Sequence, residues 1–137
     1  MDYGYQKTVK KSFENIDNEI RKNLSEEGFG IITEIDLQKT FKEKLGLTYQ
    51  KFRILGACNP ELARKAIDYE REVGLLMPCN VIFWENEDKT VTISFVDAEK
   101  QLSCCDNGEL LKIGKLWNTK IPLTSFNPPL YDGLNSY

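Results

Sequence analysis

The chain has 137 residues, 41% of them hydrophobic and 28% charged, with a formal net charge of −3 and no histidine. That is one domain's worth of an ordinary globular composition, with scattered basic residues that give no electrostatic footprint for nucleic acid and no apolar run near the ~20 residues that span a bilayer. The missing histidine removes Ser-His and Cys-His dyads, histidine-ligated metals and the usual neutral-pH acid–base group, so any catalysis would rest on cysteine, carboxylates, lysine or tyrosine.

In chain order, Tyr3 to Val9 alternates loosely and reads as a first strand. Ser12 is an N-cap for a helix with apolar residues at Phe13, Ile16, Ile20 and Leu24, and Gly28 is placed to end it. Phe29, Ile31, Thr33 and Ile35 fall on one side of a second strand. Asp36 caps a helix carrying Leu37, Phe41 and Leu45, which Gly46 closes. Tyr49 to Leu55 is a third strand, with Phe52 and Ile54 predicted to face inward.

Asn59 and Pro60 form an N-cap and a first-turn proline, the strongest helix start in the chain. The helix they open is predicted to reach about Glu72, burying Leu62, Ala63, Ala66 and Ile67. Val81–Glu85 and Thr90–Val96 make a hairpin around Asn86–Lys89, and a last helix covers Asn107 to Trp117. Val81-Ile-Phe-Trp84 is apolar on both faces, so it needs cover on both. Helices supply one side; the other is predicted to meet the C-terminal tail or a second protomer. The tail, Ile121 to Tyr137, cannot be helical through Pro122, Pro128 and Pro129. It is predicted to wrap as an extended arm, leaving a single domain over residues 1–120 and an arm over 121–137.

The start Met1-Asp-Tyr-Gly-Tyr-Gln-Lys lacks the apolar core of a signal peptide, so a cytoplasmic location is expected. The four cysteines should then be free thiols. Cys58 lies one residue before the Asn59 N-cap, where helix N–H groups favour a thiolate, and Gly56 leaves room for close approach. It is therefore the candidate nucleophile, redox sensor or soft-metal ligand, against the alternative of a small buried side chain in a tight turn. Cys79 follows Pro78 and has no helix start to activate it.

Pairing the two thiols meets a geometric objection. If the strands flanking the third helix ran parallel, as in a crossover unit, Cys58 would end one strand and Cys79 begin the next, about 23 Å away over seven residues. A disulfide needs Cα atoms within roughly 7 Å. Only a nearly extended link over Val73–Pro78, or a dimer, would join them, so separate sites are the expectation. Cys104-Cys105 reads as one thiol in and one out, and the cysteine spacing does not spell a zinc site. Asp68, Glu70 and Glu72 do not share a helix face, and Gly28-Phe-Gly30 is too short for a phosphate loop.

Leu55-Gly-Ala-Cys-Asn-Pro60, Leu62-Ala63 and Gly74-Leu-Leu-Met-Pro-Cys-Asn-Val81 resemble the signature of the domain of unknown function 302 family, over about residues 1–118. The resemblance implies a two-layer α/β fold around a largely antiparallel sheet, a dimer, and a bacterial or archaeal setting, with no established activity. It marks Cys58, Asn59, Pro60, Pro78, Cys79 and Asn80 as positions of interest and assigns them no reaction. Cys104-Cys105 and the tail depart from the pattern.

Together these readings predict an α+β two-layer α/β sandwich. Its sheet is mixed but largely antiparallel, of about five strands, with helices on one face. The expected protein is a homodimeric small-ligand-binding or sensing module with Cys58, Asn59, Cys79 and Asn80 at its site and no metal. The first alternative is a thiol-dependent redox or sulfur-handling enzyme with Cys58 as catalytic group; the second is a structural or interaction protein. No cofactor is identified.

Overall fold

In the computed structural model, which describes residues 3–121 and the strand backbone of 129–136, the chain opens with β1 (Gly4–Val9), α1 (Phe13–Glu26), β2 (Gly30–Asp36) and α2 (Leu37–Leu45). It continues through β3 (Phe52–Cys58), α3 (Pro60–Tyr69), a 3₁₀ helix (Arg71–Leu76), β4 (Cys79–Glu85) and β5 (Val91–Val96). Then come α4 (Ala98–Leu102), a 3₁₀ turn (Ser103–Cys105), α5 (Gly108–Thr119) and β6 (Pro129–Ser136). The strands form one sheet in the order β2-β3-β4-β5-β1-β6, and the architecture is an α+β sandwich.

Side-chain caps start the helices where the sequence places them. Ser12 Oγ accepts from the Asn15 N–H at 3.1 Å, Asp36 Oδ1 from Lys39 at 3.0 Å, and Asn59 Oδ1 from Leu62 at 3.2 Å. Each satisfies an N–H that the first turn leaves without an intrahelical partner. At the other end, Gly46 adopts φ +66° after α2, a left-handed conformation that closes a helix without a Cβ clash.

Phe13, Ile16, Ile20 and Leu24 of α1 pack into one core with Val9, Leu55, Val81, Phe83, Ile93 and Phe95 of the sheet. Full burial of such a side chain contributes roughly 1.5–3 kcal/mol, and the Phe13 and Phe83 rings meet at 4.8 Å. A smaller cluster of Ala66, Val73, Leu102 and Leu110 ties α3 and its 3₁₀ extension to α4 and α5.

Several elements differ from the sequence reading. The strand pairings are antiparallel throughout, so the mixed sheet gives way to a wholly antiparallel one. In β3 the inward residues are Arg53, Leu55 and Ala57, opposite Phe83, Val81 and Cys79; Phe52 and Ile54 take the outer face. The strand is apolar on both sides, so alternation cannot orient it. What orients it is Arg53, whose Nη1 reaches Asp17 of α1 at 2.8 Å while its guanidinium lies 5.2 Å from the Phe13 ring. Arg53 Nε sits 3.4 Å from Glu34 Oε1, within ion-pair range but without hydrogen-bond geometry. Arg21 joins the same group through Asp17 and Glu34. In β2 a bulge between Ile31 and Thr33 breaks the alternation, so Ile31 packs on the core while Ile35 pairs with Ile54 on the outer face.

The third helix stops at Tyr69 rather than Glu72, because Glu70 is extended (φ −160°, ψ 110°) and a 3₁₀ turn follows. A short helix, α4, was not anticipated; Asp97 caps it through the Lys100 N–H at 3.1 Å. Residues 129–136 add the sixth strand, antiparallel to β1. The rest of the predicted arm, 122–128 and 137, lies outside the described residues.

Two glycines mark where backbones come closest. A Cβ on Gly56 would land on Thr33 Oγ1 and on the Pro78 ring, and one on Gly114 of α5 would meet the Ala98 carbonyl and Glu99 Cα, each 2.8 Å away. Gly56→Ala and Gly114→Ala should therefore each destabilise by roughly 1–3 kcal/mol through overpacking. Gly108→Ala, where a Cβ meets nothing within 4 Å, should be neutral or slightly stabilising. Urea denaturation of the three variants checks this; equal stability for all would refute the close-approach argument.

Candidate functional site

Asn59 and Pro60 turn the end of β3 directly into α3, which leaves Cys58 at the last strand position. Ten residues of α-helix travel about 15 Å away from the sheet. The reversal at Glu70 and six residues of 3₁₀ helix return about 12 Å. The excursion therefore closes on itself, and β4 re-enters beside the point where β3 left, with Cys79 opposite Ala57.

Cys58 and Cys79 consequently lie on neighbouring antiparallel strands and face one cavity. The expectation of separate sites is overturned. It assumed a parallel crossover, and the out-and-back path of Pro60–Leu76 replaces one. The cavity holds about 110 Å³ of accessible space, room for a compact molecule only. Its walls come from the end of β3 (Ala57, Cys58), α3 (Asn59, Leu62, Ala63, Ala66) and the link to β4 (Leu76, Met77, Pro78, Cys79). Ala98, Leu102, Ile113 and Trp117 close it from α4 and α5, and Ile32 reaches it from the β2 bulge. The Met77–Pro78 peptide is cis.

The wall carries no charged side chain. Its polar side-chain groups are Asn59, the two thiols and the indole N–H of Trp117, and Asn59 Oδ1 is already engaged in capping α3. Cys79 donates its thiol proton to Gln101 Oε1 at 3.8 Å, while Gln101 Nε2 donates to the Leu76 carbonyl at 2.9 Å. Gln101 thus clips the incoming link to Cys79. It escaped the sequence reading together with α4, although Asp97 ahead of Ala-Glu-Lys-Gln-Leu is a cap signal that could have revealed it.

Burial, and then the proximity of Cys58, push the Cys79 thiol up to about 12. At neutral pH it is a neutral thiol, a weak hydrogen-bond group in an apolar wall rather than a nucleophile. Cys58 is half-buried at the same site. Asn80, expected at the site, is exposed on β4 and does not line the cavity. Cys104 is exposed and donates to the Gln101 carbonyl at 3.3 Å, and Cys105 packs on the smaller apolar cluster. Among the described residues no group of three or more cysteines and carboxylates is placed to hold a metal ion, and no helix is long and apolar enough to cross a membrane.

Burial of the Cys79 thiol makes the stability of the fold depend on pH. The unfolded thiol ionises near its ordinary value of 9.0 while the folded one stays protonated. The unfolded state therefore binds fewer protons above pH 9, and stability falls as pH rises from there toward 12. Between pH 9 and 10.5, wild type should lose stability faster than Cys79→Ala, by up to about 1.4 kcal/mol per pH unit. Parallel slopes in urea melts across that window would show that Cys79 ionises freely in the folded state.

The family model described as "Domain of unknown function DUF302" matches residues 5–121, a span that includes both cysteine motifs. A solved structure described as an uncharacterized conserved protein DUF302 from Bacillus stearothermophilus is similar in fold, with a TM-score of 0.79 at 21% identity, covering 86% of this chain and 91% of that one. No curated protein matches. With both motifs matched and gathered at one cavity, the chain belongs to the DUF302 family.

Proposed function

We propose that this DUF302 chain is a cytoplasmic small-molecule-binding module whose ligand is a compact, neutral and largely apolar molecule seated against Cys58, Leu62 and Ala66. The observation that carries the reading is the cavity wall, which gathers both cysteine motifs and lacks any charged side chain. A charged ligand entering it would lose its hydration without gaining a counter-charge, a cost of several kcal/mol. An apolar ligand of matching shape loses nothing comparable and gains roughly 25 cal/mol per Å² buried. The two thiols and the free edge of the Asn59 amide supply the few polar contacts that orient such a ligand.

A second reading is favoured by one observation: Cys58 is a half-buried thiol on the same wall, beside a Cys79 held protonated by burial. In that reading Cys58 is the nucleophile of a thiol-dependent redox or sulfur-handling enzyme. Alkylation separates the two. A purely binding site predicts that Cys58 reacts with iodoacetamide at the rate of an ordinary thiol. Fast modification at pH 6, lost in Cys58→Ser, would favour the enzyme.

The binding reading is tested with indole as a neutral apolar probe and benzoate as its charged counterpart. Saturating indole should raise Tm by a few degrees, as mass action requires for a ligand of the native state. It should also shift the amide resonances of Cys58, Asn59 and Leu62, while benzoate does neither. Ala63→Phe, which fills the cavity from its half-buried position, should abolish the indole effect. Indole effects that survive Ala63→Phe, or no response to indole, would remove this reading.

A further inference from the structure

Two thiols lie outside the cavity, on the turn that joins α4 to α5. Ser103–Cys105 is a single turn of 3₁₀ helix, which Asp106 ends in the left-handed conformation at φ +49°. On a strand, adjacent side chains point to opposite faces and two neighbouring cysteines would be parted. On a 3₁₀ turn they are rotated by only about a third of a turn and can meet. Cys104 is exposed, and its thiol donates to the Gln101 carbonyl at 3.3 Å. Cys105 is half-buried and packs on the cluster of Ala66, Val73, Leu102 and Leu110. Its thiol interacts with that of Cys104 through a side-chain hydrogen bond. One sulfur therefore faces water, the other is backed by apolar side chains, and the two adjoin.

The surroundings keep this pair as thiols. Burial, and then the neighbouring Cys104 thiol, raise Cys105 above its ordinary value of 9.0, and the Glu70 carboxylate adds in the same direction. At neutral pH Cys105 is protonated. Disulfide exchange proceeds through a thiolate, which the raised value makes scarce. A disulfide would also have to close a small ring through the Cys104–Cys105 peptide, with its sulfurs ~2.05 Å apart. Both effects oppose oxidation of the pair. A reaction that carries the thiol proton away with a leaving group meets neither obstacle.

We infer that Cys104 and Cys105 form a dithiol site for a trivalent arsenical, taken up from water as arsenous acid. The acid condenses with both thiols: two arsenic–oxygen bonds break, two arsenic–sulfur bonds form, and each thiol proton leaves with a hydroxide as water. Arsenic stays trivalent throughout, so no oxidant or reductant takes part. The bound group keeps one hydroxide and is neutral. Geometry selects this class over the soft cations that thiolates also bind. Trivalent arsenic is pyramidal and holds two sulfurs on one side, close to a right angle apart, as adjoining thiols on one turn present them. Cuprous and mercuric ions favour two sulfurs on opposite sides, a span that adjacent residues of a turn do not open. Zinc takes four ligands, and among the described residues no group of three or more cysteines and carboxylates is placed to supply them. Glu70 beside Cys105 disfavours anions, whereas arsenous acid is uncharged at neutral pH. Gln101 ties the site to the cavity: its carbonyl accepts the Cys104 proton that condensation removes, and its side chain holds Cys79 and the Leu76 carbonyl.

The test is equilibrium dialysis of the reduced full-length protein against inorganic arsenite at pH 7, with native mass spectrometry of the product. Wild type should bind one arsenic per chain, with the mass of one arsenic hydroxide gained and two hydrogens lost. X-ray absorption at the arsenic edge should show two sulfur neighbours and one oxygen. Because the second thiol acts intramolecularly, Cys104→Ser and Cys105→Ser should each weaken binding by about 100-fold or more. Should Cys105→Ser fail to fold, Cys104→Ser decides alone, because that side chain is exposed. Cys58→Ser and Cys79→Ala should bind arsenite as wild type does. No adduct, three sulfur neighbours, undiminished binding by Cys104→Ser, or binding lost with Cys58→Ser or Cys79→Ala would each overturn the assignment.

Discussion

The pairing of Ala57 with Cys79 is the constraint on which the site depends. Two sequence motifs separated by some twenty residues become neighbours because β4 enters the sheet antiparallel to β3, at the end from which β3 left. Three local features enforce that return. The Asn59 cap and Pro60 start α3 without any loop, so helix length alone sets how far the chain travels. The extended Glu70 turns it back. Gly56, with no side chain, lets the Pro78 ring lie against β3 just before Cys79 joins the ladder. A side chain at that glycine would push Pro78 away, and with it the wall that both thiols share.

The same path explains the chemistry of the two cysteines. Equivalent in sequence, each followed by asparagine, they differ in surroundings. Cys79 begins an interior strand, with Gln101 behind it and apolar side chains in front, so burial keeps it protonated. Cys58 ends its strand where α3 begins, half-buried at the cavity. The asparagines diverge too. Asn59 uses its carbonyl oxygen on the Leu62 N–H, whereas Asn80 lies opposite Gly56 on the face away from the helices. A repeated Cys-Asn pair does not imply repeated roles, because strand alternation and helix start send the second residue in different directions.

What the sequence made legible follows from the range of the forces involved. Caps act within one turn, so Ser12, Asp36 and Asn59 located their helices; Asn107, read only as the first residue of the last helix, is its cap, with Oδ1 accepting from the Glu109 N–H at 3.0 Å. The apolar stripe of α1 was equally plain, since Phe13, Ile16, Ile20 and Leu24 recur at the helical period. Strand direction was not legible, because a helix between two strands reads the same whether the chain crosses over or returns. It was decided by where α3 stops and by the 3₁₀ turn beyond Glu70. The inward face of β3 was misread for a related reason. Phe52 and Ile54 are as apolar as Leu55 and Ala57, and the choice was made by a partner distant in sequence, Asp17, which draws Arg53 inward. The bulge in β2 likewise belongs to the pairing of two strands and leaves no trace in either one alone.

The inward turn of Arg53 links the two faces of the sheet. With Arg53 toward α1, strand alternation obliges Phe52 and Ile54 to face outward, where Phe52 meets Trp84 and Ile54 meets Ile82. The ion pairs of Arg53 with Asp17 and Glu34 thus fix which residues the outer face displays. Such partly exposed pairs add little stability on their own. Their consequence here is register and orientation: a one-position slip in β3 would put Arg53 outside among Ile35 and Trp84 and bring Phe52 against α1. The charges gathered beneath the sheet and the apolar residues displayed above it are therefore two results of one strand orientation. The cavity is a third, since the orientation that turns Arg53 inward also turns Ala57 toward the helices and sets Cys79 beside it.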